Sequence, residues 1–296
     1  MTVSGASVKR ASARIRDYEG KQEDYDILDS WRSQLAEFLP HLTGEAVGAL
    51  GGIGFLSASR VKRRDAIERK IRRSQTTAET LDDVIGLRVI CTDPESFESA
   101  NNALSAHSFW RRTRDYSKVA KATGYRSKHH IWSIKPDGLP TVRFEIQVRT
   151  WRHHLWACLS ESLGQQVKQG DADEVARELL DSFSAHLEAK PDLDRLQCHG
   201  AEGSFFWGIG VDRTAGAEPR YVNLGVEARQ AFSNFTLLEE WASDGMHKRI
   251  AALVCAPNEE LISRTHLGLL PHTLIRELTG EVRFSMPPSL NERIVA

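Results

Sequence analysis

The clearest pattern in the chain is Val142-Arg-Phe-Glu-Ile-Gln-Val-Arg-Thr150. Val142, Phe144, Ile146 and Val148 alternate with Arg143, Glu145, Gln147 and Arg149, the period of a half-buried strand. Tyr25, Leu28, Trp31, Leu35, Phe38 and Leu39 recur at helical spacing and predict a helix that Pro40 closes. Residues 1–24 lack such spacing and are expected to be frayed. The glycine-dense stretch 44–54 lacks the trailing Gly-Lys-Ser/Thr of a phosphate loop and reads as a flexible link. Val84 to Cys91 is an apolar run expected as a mostly buried strand, with Asp82 and Asp83 at its entrance. Pro94 opens a helix through Phe97, Ala100 and Leu104. Residues 111–124 read as a basic loop, 125–134 as a strand and 136–140 as a turn. The 142–150 strand is thus the return arm of a hairpin. Helices follow over 151–167 and 171–188.

A polar connector at 190–203 marks the expected boundary. The division is a main domain at 25–190 and a smaller α/β unit at 204–285. In the latter, strands are predicted at 205–211, 220–226 and 249–255, and helices at 236–245, after Pro257 and after Pro271. The fold class is α/β (α+β), a mixed sheet flanked by helices.

Composition changes this picture little. The chain has 296 residues, 41% hydrophobic and 27% charged, with a net charge of −1. A globally basic nucleic-acid binder is therefore excluded, and anion binding must come from local clusters. No apolar run is long enough for a transmembrane helix, and the first ten residues lack a signal-peptide core. Cys91, Cys158, Cys198 and Cys255 are widely spaced, which fits reduced thiols in a cytoplasmic protein rather than a zinc site.

Charge patterning is more informative. Arg60, Lys62, Arg63, Arg64, Arg69, Lys70, Arg72 and Arg73 fall within fourteen residues, offset only by Asp65 and Glu68. Such a run repels itself unless an anion sits beside it. Glutamate is depleted in strands, so Glu145 is either part of a solvated, charge-paired face or a metal ligand or base. A cationic segment, Asp83 at one strand and Glu145 on another suit chemistry on phosphates. Two carboxylates can hold magnesium, and cations neutralise phosphoryl oxygens.

Four ordered motifs resemble the RelA/SpoT-type synthetases of guanosine tetra- and pentaphosphate. They are Arg60-Val-Lys62 with Lys70, Asp83-Val-Ile-Gly-Leu-Arg88, Asp115-Tyr116 with Lys118 and Lys121 leading into Gly124-Tyr-Arg-Ser-Lys-His129, and Glu145-Ile-Gln-Val-Arg-Thr150. The resemblance covers roughly residues 25–170 and implies a nucleotidyltransferase-like synthetase domain. It implies Mg2+-dependent transfer of pyrophosphate from ATP to the 3′-hydroxyl of GDP or GTP. By the same resemblance, Arg60 and Arg88 flank the adenine, Lys62 and Lys70 hold ATP phosphates, and Asp83 binds the metal. Glu145 shares the metal or takes the hydroxyl proton. Tyr125 stacks on the guanine, Lys118 and Lys121 meet the acceptor phosphates, and His129 and Gln147 line the acceptor side. Asp82 is left as the exposed neighbour of Asp83.

Ala120-Lys121-Ala122-Thr123, Lys128 and the stretch Leu159–Gln166 depart from the family pattern. The acceptor is therefore open among GDP, GTP, an adenosine nucleotide and the 3′ end of tRNA, and a weakly active nucleotide-binding module is a further alternative. No His-Asp dipeptide occurs, so the expectation is a stand-alone synthetase without the family's hydrolase half. The unit at 204–285 could serve a protein partner, a homo-oligomer or autoinhibition.

Overall fold

The computed structural model describes residues 3–117, 126–137, 140–163, 174–195, 205–212, 218–244 and 249–284. Its centre is one eight-stranded mixed sheet in the order β3-β4-β5-β2-β1-β8-β6-β7. The strands are β1 (Phe55–Val61), β2 (Ile85–Cys91), β3 (Trp110–Asp115), β4 (Lys128–Ile134), β5 (Val142–Thr150), β6 (Phe205–Asp212), β7 (Arg220–Gly225) and β8 (Arg249–Ala256). β4 and β5 form the predicted antiparallel hairpin, with Ile131 opposite Glu145. The β2–β5 pair is parallel, with Gly86 opposite Glu145 and Arg88 opposite Gln147.

Helices cover both faces. On one side lie α1 (Gly5–Arg16), α2 (Gln22–Ala36), α3 (Leu39–Ala49), α4 (Arg64–Ser74), α5 (Pro94–Ala106) and α8 (Ala228–Ser243). They pack on Leu87, Val89, Phe144, Ile146, Phe206 and Leu253 in the larger core. On the other side are α6 (Trp151–Ser162), α7 (Glu174–Glu188), α9 (Glu259–Thr265) and α10 (Pro271–Thr279). There Leu56, Ile90, Trp151, Trp156, Phe183 and Leu274 form a second cluster. Ala58, Trp207, Val254, Ile262 and Leu270 form a third.

Three elements differ from the sequence reading. Residues 5–16 are helical rather than frayed. Ser4 caps the helix, and Val8, Ala11 and Ile15 are buried against the body. The 44–54 stretch is helical as far as Ala49, and only 50–54 turns into β1. Residues 110–115 form an edge strand instead of a loop, and all six are exposed. An edge strand with no buried face has no alternation to read.

The segment beyond 204 also joins the main sheet directly. β8 pairs antiparallel with β1, Ser59 opposite Cys255 and Val61 opposite Leu253. Arg32 of α2, fully buried, bonds Asp29, Glu239 of α8 and the Lys62 carbonyl.

Candidate active site

Side chains at alternate strand positions share a face. Here Ala58 and Arg60 of β1, Gly86 and Arg88 of β2, and Glu145 and Gln147 of β5 line one cleft with Asp83 and His266. A Cβ at Gly86 would meet the Glu145 carbonyl oxygen at 2.7 Å, so only glycine lets β2 lie this close beside Glu145.

Asp83 sits just before β2. Its Oδ2 accepts from Lys62 Nζ at 2.8 Å and from Lys70 Nζ at 2.7 Å. Burial opposes its charge, but the two ammonium groups outweigh burial and hold the carboxyl well below the usual range. Asp83 Oδ1 is buried and has no hydrogen-bond partner, an uncommon state for a carboxylate oxygen. Lys62 is pulled below the ordinary lysine value, chiefly by burial.

Glu145 is 6% exposed. His129 Nδ1 donates to its Oε1 at 2.9 Å, and Gln147 Nε2 donates to its Oε2 at 2.7 Å. Arg149 Nη2 donates in turn to Gln147 Oε1 at 2.9 Å, fixing the amide orientation. Burial alone would raise the Glu145 pKa; the His129 and Gln147 bonds outweigh it and bring the value to about 2. His129 thus bonds the glutamate rather than only lining an acceptor surface.

Arg60 is half-buried at the cleft. Arg88 is 6% exposed, donates to the Thr265 carbonyl and lies 3.7 Å from Glu161. Burial and the nearby Arg149 lower it to about 10. Lys118, Lys121 and Tyr125 lie outside the described residues.

Asp82 is buried and paired, not an exposed neighbour. Its carboxylate takes Arg112, Arg114 at 2.7 Å and Arg143 at 3.6 Å. The two aspartates therefore face different partners. Asp83 gathers the lysines of the β1–α4 segment, and Asp82 gathers arginines from β3 and β5. The sequence reading took Arg112 and Arg114 as part of a basic loop but missed that they and Arg143 pair with Asp82. It also missed Thr265 and His266, whose approach has no local signature.

Carboxylates, lysines and arginines converge here, an arrangement suited to holding and polarising a phosphorylated substrate. A magnesium ion fits the donor set. Asp83 offers a buried oxygen without a partner, and Glu145 lines the same cleft. Among the described residues no cluster of three or more His, Cys, Asp or Glu could hold a metal. One or two carboxylates completed by substrate oxygens and water is the usual magnesium arrangement. Among the described residues, no helix is long and apolar enough to cross a membrane.

Residues 59–164 match the family model described as "Region found in RelA / SpoT proteins". No curated protein matches the chain significantly. Similar solved structures include a GTP pyrophosphokinase family protein from Streptococcus pneumoniae, with 26% identity and TM-score 0.47, covering 58% of this chain and 91% of that one. Another is small alarmone synthetase 1 from Bacillus subtilis, with 25% identity and TM-score 0.46, covering 58% of this chain and 94% of that one. The same synthetase bound to its product pppGpp aligns at 26% identity and TM-score 0.40, over 46% of this chain and 73% of that one. Arg60, Lys62, Lys70, Asp83, Arg88, His129, Glu145 and Gln147 all lie within the region that matches the RelA/SpoT model.

Proposed function

We propose that the chain is an ATP-dependent pyrophosphotransferase that acts on the 3′-hydroxyl of GDP or GTP. The observation that carries this reading is the pair of unlike carboxylates in one cleft. Asp83 is held by two lysines with one oxygen unpartnered, and Glu145 is held by His129 and Gln147. The RelA/SpoT match over these residues supports it.

In this reading Lys62 and Lys70 turn from Asp83 to the ATP phosphates, and Asp83 with Glu145 would hold magnesium. The ion would neutralise charge on the transferring phosphoryl oxygens. The acceptor 3′ oxygen bonds to the β-phosphorus, the bond to the α–β bridging oxygen breaks and AMP leaves, while the hydroxyl proton passes to Glu145 and from there to solvent. Glu145 orients the attacking hydroxyl. A carboxylate has about four acceptor sites, so the two bonds from His129 and Gln147 leave room for that proton. Its low pKa makes it a weak base, but a loose phosphoryl transition state needs positioning more than a strong base. His129 and Gln147 fix the carboxylate in place.

A second reading keeps the donor chemistry and changes the acceptor to tRNA. The exposed β3 edge carries Arg111, Arg112 and Arg114 beside Trp110, a surface suited to a polyanion with stackable bases.

One experiment separates the readings. Labelled ATP and magnesium are supplied with GDP, GTP, AMP and tRNA together, and the labelled product is identified. A 3′-pyrophosphorylated guanosine supports the first reading. Label on tRNA, lost as salt rises, supports the second, and no labelled acceptor of any kind refutes both.

A further inference from the structure

The polar cleft ends where the C-terminal part of the chain lies across it. Helix α9 and the turn after it, Leu267–Leu269, sit on β1 and α6. Leu261, Ile262, Leu267 and Leu270 of this segment are themselves buried. His154 of α6 donates to the Arg264 carbonyl at 2.9 Å. Asn258 caps α9 at its start, and Pro257 and Pro271 bracket the stretch. Gly268 fits against α6 so closely that a Cβ would meet Glu161 Oε2 at 2.8 Å and Cys158 Cα at 3.5 Å.

The consequence for the cleft is specific. The Arg88 guanidinium, which must present a flat face to stack on a purine, is spent on the Thr265 carbonyl and Glu161. His266, 2% exposed, lines the cleft beside Arg60. The space left among Arg60, Arg88, Asp83, Glu145 and His266 is about 20 Å³, room for about one water molecule and far too little for a purine.

We infer that residues 258–270 occupy the nucleotide-base site themselves, so that ATP enters only when this segment lifts away from β1 and α6. The inference rests on the reading of Arg60 and Arg88 as base-facing residues. Its thermodynamic content is a tax on binding: apparent ATP affinity is reduced by the fraction of molecules in which the segment has lifted. The covering segment is part of the same chain, so it acts at a fixed local concentration whatever the protein concentration. Anything that binds the lifted segment would switch the enzyme on.

The test is hydrogen–deuterium exchange of the full chain with and without saturating MgATP. ATP affinity is measured in parallel for wild type, Gly268→Val and Ile262→Asp. Neither substituted residue belongs to the catalytic machinery, and both loosen the segment. Amides of 259–270 should exchange at least roughly tenfold faster with ATP bound, and both substitutions should tighten ATP binding by roughly tenfold. If ATP binds the wild type while those amides slow or stay unchanged, the segment is a wall of the site rather than its occupant. The inference then fails and the proposed transferase activity stands. If ATP binds neither wild type nor a folded variant, both the inference and the ATP reading fail. Should a variant not fold, exchange on the wild type decides.

Discussion

Glu145 places a carboxylate on a strand, inside the protein, with both oxygens already bonded. Glu145→Gln is expected to keep ATP affinity within a few-fold and lose turnover by roughly 10³-fold, the scale of one electrostatic group in a site. Equal losses in binding and turnover would count against the role given to it. The same carboxylate sets an acid limb. Its folded pKa, about 2, lies below the ordinary value of 4.5, so the unfolded chain binds the proton more readily between these values. Its stabilisation is present above about pH 4.5 and is lost as pH falls towards 2, on the order of 3 kcal/mol at most. Urea midpoints at pH 3 and pH 7 should differ less in Glu145→Gln than in wild type.

Asp82 gives a contrasting residue-level prediction. Asp82→Ala leaves Arg112, Arg114 and Arg143 facing one another and should cost about 1–3 kcal/mol, read as a lower urea midpoint. Adding inorganic phosphate should recover part of the loss. The sequence made Asp83 and Glu145 legible because acids at strand positions are conspicuous. It could not distinguish Asp82 from an exposed neighbour, since its partners come from β3 and β5, 30 to 61 residues further on.

At the scale of elements, the alternation that predicted β5 worked because one face is buried and the other is chemical. The helix α1 was illegible for the opposite reason. Its buried positions, Val8, Ala11, Ser12 and Ile15, are few and small, and the Lys and Arg between them mask the stripe. Strand β3 has no buried face at all and is recruited by pairing to β4. One histidine knits this edge. His130 of β4 donates from Nε2 to Asn101 Oδ1 of α5 at 2.8 Å, and Thr113 of β3 donates to its Nδ1 at 3.0 Å. Burial lowers the His130 pKa to about 4, so the ring is neutral in the folded protein at neutral pH. The unfolded chain takes up that proton below about 6.5, and stability therefore falls as pH drops from 6.5 towards 4, by about 1.4 kcal/mol per unit at most. His130→Asn should flatten that limb in melting curves at pH 7 and pH 5. An unchanged slope would show that this histidine does not set it.

The whole molecule is tied by contacts that join distant parts of the chain. Arg32 reaches Glu239 through two hydrogen bonds of 2.9 and 2.8 Å while its Nε holds the Lys62 carbonyl at 3.0 Å. Breaking such a buried pair costs roughly 3–5 kcal/mol. Glu239→Gln should therefore lower the unfolding midpoint. It should also reduce transferase turnover, because the backbone carrying Lys62 loses its anchor. A stability loss with unaltered kinetics in the folded fraction would sever that link. The sequence reading divided the chain near 190–203 because a polar connector lies there. It could not foresee that the strands beyond the connector extend the first sheet.

That extension has a consequence in time. β1 must pair with β8, about two hundred residues later in synthesis. At typical elongation rates the ribosome needs roughly 10–40 s to supply them. Until then the nascent chain carries β1 with one edge open, the kind of edge that recruits other strands. Stalled chains ending before residue 249 should be cleaved by brief protease treatment within 55–91, and full-length released chains should resist. Protease resistance of the stalled chains would mean that β1 is protected without β8. If the stalled chains are cleaved, completion of the last strand acts as a checkpoint: the carboxylates and lysines of the cleft are translated first, yet the sheet that aligns them closes last.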